Sequence, residues 1–148
     1  MTLESQLVEI EDELNKLIRD GETGTKTITF GDIKPKAIRY PAVHFLLQGT
    51  PKNDLQVIQP NRIGRNLIYE VSCVFAGTDA RNTIISTRAF TNSVYELIQG
   101  QIDTNKKLNN TIFNLSCDMD YVTFETPYKN YVYGGIITLI IQIFETRQ

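Results

Sequence analysis

The chain has no tryptophan, one histidine, two cysteines and five prolines among 148 residues. Each scarcity narrows the chemistry open to it. The lone histidine, His44, lies between Val43 and Phe45 with no nucleophile, base or metal-ligand pattern beside it. It reads as a strand residue with a hydrogen-bonding role. Cys73 and Cys117 stand far apart, outside any C-x-x-C or Cys/His cluster, and read as buried thiols. The opening MTLESQLVEIEDELNK lacks the pattern of a secretory signal. A reducing compartment is therefore expected, and the sequons at Asn109 and Asn114 are expected to be chance matches.

Charge of one sign is also missing: the formal net charge is -2. Nothing overall draws the chain to nucleic acid or anionic lipid. No apolar run reaches the ~20 residues that a bilayer-spanning helix needs. The glycines form no phosphate-binding loop and no dinucleotide fingerprint. No G-x-S-x-G elbow occurs. Asp118 and Asp120, in DMD, put two carboxylates on one strand face. They read as solvent or interface carboxylates; a cation site or catalytic pair is the weaker alternative, since no third group accompanies them. Catalysis has no positive support, and neither an enzyme nor a cofactor is expected.

What is present is a globular composition, 41% hydrophobic and 22% charged, at a length typical of one domain spanning 1–148. A chain this long can bury roughly two thirds of its unfolded surface. Leu3, Leu7, Ile10, Leu14 and Leu17 recur at spacings of four and three, with Ile18 widening the stripe, which predicts an amphipathic helix ending at Gly21. A short extended piece is possible at Lys26–Phe30. AIRYPAVHFLLQG reads as the first main strand, with Pro41 marking an edge or an early bulge. A long loop or arm follows, at about 48–66.

LIYEVSCVFAG reads as the second strand, with Leu67, Tyr69, Val71, Cys73 and Phe75 on the expected core face. TDARNTIISTRAFTNSVYELIQG reads as the second helix, capped by Thr78 or Asp79 and ended by Gly100. Its apolar patch is Phe90, Val94, Leu97 and Ile98, extended by Ile84 or Ile85. TIFNLSCDMDYVTFE alternates cleanly and reads as the third strand. YVYGGIITLIIQIFE is the fourth, with Gly134–Gly135 predicting a bulge or a close backbone approach. The order αββαββ predicts an α/β (α+β) fold with a four-stranded, mainly antiparallel sheet and two main helices.

The last strand poses the sharpest question. Ile137, Leu139, Ile141 and Ile143 fall on one side; Ile136, Ile140 and Phe144 fall on the other. An antiparallel sheet wet on one face should be polar there. Either the first helix covers this second face, or another copy of the chain does. Local basic clusters (Lys34, Lys36 and Arg39; Arg62 and Arg65; Lys106 and Lys107) read as solvated loop charge or as contacts in an assembly. Tyr121, Tyr128, Tyr131 and Tyr133 flank the last hairpin, and tyrosine is common where surfaces meet.

In layout the chain resembles the tail terminator, or tail completion, proteins of long-tailed bacteriophages. The resemblance is carried in order by the N-terminal helix, IRYPAVHFLL, the long loop, LIYEVSCVFAG, the helix beginning near DARNTI, and the final hairpin IFNLSCDMDYVTFE…YVYGGIITLIIQIFE. It covers nearly the whole chain but rests on no unique motif.

It implies a non-enzymatic virion protein without a cofactor, assembled in the host cytoplasm. Copies would form a ring, commonly a hexamer, that ends tail-tube polymerisation and meets the head–tail connector. The implied partners are the chain itself, the tail tube protein and the connector protein. No membrane is involved, and nucleic acid at most passes through the ring lumen. Carried onto this chain, Arg62, Arg65, Tyr131, Tyr133, Ile136, Ile140 and Phe144 become candidate ring or tube contacts. A related neck or connector component, and a small nucleic-acid-binding module, are the alternatives.

Overall fold

The computed structural model describes residues 2–31, 38–53, 62–125 and 131–146, with backbone alone for 121–125 and 146. The expected positions Lys34, Lys36 and Tyr128, and the middle of the arm, lie outside the described residues.

Helix α1 (Leu3–Asp20) forms where the spacing predicts it. Thr2 caps it, its hydroxyl accepting the Ser5 N–H at 3.1 Å. At the other end the Gly21 N–H closes onto the Ile18 carbonyl at 3.3 Å. Ile10, Leu14 and Ile18 are buried, and Leu3, Leu7 and Leu17 pack along the margin of the same cluster.

The sheet has five strands rather than four: β1 (Thr27–Phe30), β2 (Ala42–Gly49), β3 (Arg62–Gly77), β4 (Asn114–Glu125) and β5 (Tyr131–Thr146). Their spatial order is β1-β2-β3-β5-β4. The added strand is the TITF stretch, four residues too short to declare a period. It pairs parallel with β2, whereas every other pairing is antiparallel. Phe30 stacks on Phe45 across that pair, with ring centroids 4.8 Å apart. β1 is therefore the edge, and β2 starts immediately after Pro41, whose missing N–H lies outside the ladder. The central pair, β3 and β5, runs from Arg62↔Thr146 to Gly77↔Tyr131 without a register shift.

Helix α2 (Ala80–Asp103) is capped by Asp79, whose carboxylate accepts the Asn82 N–H at 3.1 Å, and it continues through Gly100. The buried side of its first half is built from Thr83, Thr87 and Thr91. Each hydroxyl donates to the carbonyl one turn back, at 2.5, 2.6 and 2.7 Å. Self-satisfied hydroxyls can be buried without leaving an unpaired donor, and small side chains let the helix lie close to the sheet. A Cβ at Gly135 would collide with the Thr91 side chain, so the expected close approach at the paired glycines is to this helix. The price of that proximity is that Ile85, expected to extend the core patch, turns to solvent.

After α2 the chain makes a short left-handed turn, α3 (Lys107–Asn110), with φ of 51°, 46°, 58° and 61°. Asparagine tolerates this region better than most residues. The turn drives Leu108 into the core, where it is 3% exposed.

Candidate functional site: the uncovered sheet face

Both long helices pack on the same side of the sheet. Ile10, Leu14 and Ile18 of α1 and Phe90, Val94 and Ile98 of α2 share one cluster with Val43, Phe45, Leu67, Tyr69, Val71, Cys73, Ile137, Leu139, Ile141 and Ile143. The four β5 residues in that cluster are at most 1% exposed. The sequence left open whether α1 covers the other face; it does not, because its stripe is spent on the first.

Among the described residues, no helix lies on the second face. That face carries His44 and Leu46 from β2, Ile68, Glu70, Ser72 and Val74 from β3, Ile136, Thr138, Ile140 and Phe144 from β5, and Ser116, Asp118 and Asp120 from β4. The register aligns Ile68 with Ile140, Ser72 with Ile136 and Gly64 with Phe144. Ile136, Ile140, Phe144, Ile68, Val74 and Leu46 are only half-buried. Shielding by neighbours within the sheet leaves them in that state. The apolar band is bordered on the β4 side by the exposed Asp118 and Asp120, which align with Thr138 and Ile136.

The predicted contact residues separate into groups. Ile136, Ile140 and Phe144 lie together on the open face. Phe144 meets Phe113 edge-on at 4.9 Å, and the Lys107 ammonium sits 5.7 Å from the Phe113 ring centre. Arg62 is exposed at the start of β3, on the alternation that includes Ile68. Arg65 turns the other way. Its Nε lies 2.5 Å from Glu145 Oε2 and its Nη1 donates to the Thr50 carbonyl at 2.7 Å. With side chains 18% and 12% exposed, this pair is largely shielded and fixes the base of the arm, which the Lys52↔Arg65 bridge also narrows. Tyr131 and Tyr133 stack at 6.4 Å at the far end of β5, on the alternation of the helix-covered side. Tyr133 is buried and Tyr131 is exposed.

The titratable groups have mundane surroundings. His44 Nδ1 hydrogen-bonds the Thr29 hydroxyl at 2.9 Å across the β1–β2 pair. Burial pushes the Cys73 thiol up to about 12. Burial first, and then Asp118, push Cys117 up to about 11. Both thiols therefore stay protonated near neutrality and are poor nucleophiles. Tyr69 Oη is buried and interacts with the Glu11 carboxyl without good hydrogen-bond geometry. Burial, then that carboxylate, holds the phenol well above its ordinary value. Among the described residues, no group of three or more His, Cys, Asp or Glu is placed to hold a metal.

The second face is thus a broad, moderately apolar strand surface with an acidic border. No protein-family model matches the chain, and no curated protein matches it in sequence.

Proposed function

We propose that this chain is the subunit of a ring that ends tail-tube growth in a long-tailed bacteriophage and joins the tail to the head connector. The observation that carries the reading is the open second face, with Ile68, Ile136, Ile140 and Phe144 half-buried in a folded subunit whose helices are both committed elsewhere. Drying a few hundred Å² of such surface at ~25 cal/mol per Å² is worth several kcal/mol. Ordering costs take back much of that, so the contact suits assembly on demand. Growth stops because one ring face matches the tube end and the opposite face offers no further tube-binding site.

A nucleic-acid platform is less well supported. Asp118, Asp120 and Glu70 share the open face, and carboxylates repel a phosphate backbone. The decisive experiment is electron microscopy of the purified protein with and without tail-tube ends. Rings seated on tube ends, with elongation halted, are the expected result. Tubes that elongate unchanged while the protein binds isolated connectors would move it to the neck instead.

A further inference from the structure

We propose that the acidic outer face of α1 in one copy docks on the basic outer face of the first half of α2 in a second copy. This rests on the ring reading for its biological setting, but the contact itself is argued from the two helices.

Val8 and Ile85 are the most exposed large hydrophobic residues among those described, each 52% exposed. Each lies in a helical face of one charge sign. Val8 is one turn from both Glu4 and Asp12, with Glu9 and Glu11 adjoining. Ile85 is one turn from both Arg81 and Arg88. The signs are opposite, and the design is the same: an apolar knob flanked by like charges.

Neither patch is balanced among the described residues. Among the described residues the ion pairs are Lys16–Glu13, Arg19–Asp20 and Arg65–Glu145, so Glu4, Glu9, Asp12, Arg81 and Arg88 enter none. Arg81 occupies the first turn of α2, where the helix dipole disfavours a cation; the Asp79 cap is the acid at that end, and its carboxylate accepts the Asn82 N–H rather than pairing with Arg81. On α1 the crowding is felt by Glu11, whose carboxyl is raised by burial first and then by Glu4 and Asp12. A copy bringing the opposite sign relieves both.

The patches cannot meet inside one molecule. Gln6 Nε2 donates to the Phe144 carbonyl at 2.9 Å, which ties the first half of α1 to the end of β5. Thr91 packs against Gly135, which ties the first half of α2 to its beginning. The nine residue steps from Gly135 to Phe144, at ~3.3 Å each, put roughly 30 Å between the two anchors. The acidic patch thus looks for a partner beyond its own subunit, and the basic patch of a copy supplies the matching charge and knob. Such a contact joins two different surfaces and can repeat around a ring.

The test uses two full-length variants, Glu9→Lys/Asp12→Lys and Arg81→Glu/Arg88→Glu, with folding checked by circular dichroism. Sedimentation equilibrium should show wild-type association that weakens as NaCl rises from about 0.05 M to about 0.5 M. Each variant alone should associate roughly tenfold or more weakly. An equimolar mixture should recover association, because the new lysines of one face the new glutamates of the other. Variants that associate like wild type, a mixture that recovers nothing, or a wild type that stays monomeric would each overturn the contact. The ring reading fails separately: association that stops at a dimer or grows without limit, yet obeys the charge-swap pattern, would keep the helix contact and remove the ring.

Discussion

Ile140 and Ile141 are neighbours on β5, and the fold assigns them opposite fates. Ile141 is fully buried opposite Leu67, and Ile140 is half-buried opposite Ile68 on the open face. The same change, Ile→Thr, can therefore separate folding from assembly while keeping a β-branched side chain in the strand. At Ile141 it removes apolar contact worth about 1 kcal/mol and buries a hydroxyl among aliphatic neighbours, at a further 1–3 kcal/mol or so. The sum, about 2–4 kcal/mol, should lower the Tm by roughly 5–15 °C for a domain of this size. At Ile140 the hydroxyl stays near water in the monomer, and the cost should be under about 1 kcal/mol. Its penalty appears when the face is dried against a copy. There, about 1–3 kcal/mol per contact weakens association roughly tenfold to a hundredfold. Thermal melts followed by circular dichroism and sedimentation velocity on both variants read the two effects separately. Equal losses of Tm would mean that the second face is sealed within the chain, and the reasoning would fail. Unchanged association of Ile140→Thr would mean that assembly uses other surfaces.

Three further outcomes follow from the packing. Gly135→Ala should destabilise by about 1–3 kcal/mol through collision with Thr91, and Thr91→Ala in the same chain should recover part of that loss in urea titrations. Arg65→Ala should cost about 1–3 kcal/mol by stranding the shielded Glu145 carboxylate, whereas Arg62→Ala, at an exposed site, should fall within about 0.5 kcal/mol of wild type; equal effects in denaturant melts would contradict the assignment of Arg65 to the arm's base. The folded-state pKa of Cys73 is raised from 9.0 to about 12, so above the lower value the unfolded chain loses the proton first. Stability from this group is complete below pH 9 and falls as pH climbs toward about 12; Cys73→Val should flatten that part of the stability–pH curve, and an unaltered slope would count against it.

Much of the architecture is legible in the residues. The three-and-four spacing of α1 and the strict alternation of β3 and β4 each have one physical solution, and the structure adopts it. β1 is not legible beyond a possible extended piece, because TITF is stabilised by pairing with β2 and by the Phe30–Phe45 stack, both non-local. The first half of α2 misleads a hydropathy reading. Its threonines face inward because Gly77 and Gly135 admit only a close, small-sided helix, and Ile85 is left outside. The candidate site was visible only as a question: with both sides of β5 apolar, nothing in that segment says which one the helices take. The opposing charged helix faces could have been found from Glu4–Val8–Asp12 and Arg81–Ile85–Arg88, had exposure been known.

The unbroken β3–β5 ladder has a mechanical consequence. Sixteen residues of each strand pair without a bulge, a spine of roughly 50 Å. Its rungs lie across the strand axis, so pulling lengthwise loads them together rather than one at a time. A tug on the arm at Arg62 would reach Tyr131 as displacement of a stiff beam, with little lost to bending between. The bulged outer strand β4 and the four-residue edge strand β1 would yield first, and the middle of the sheet would keep its shape.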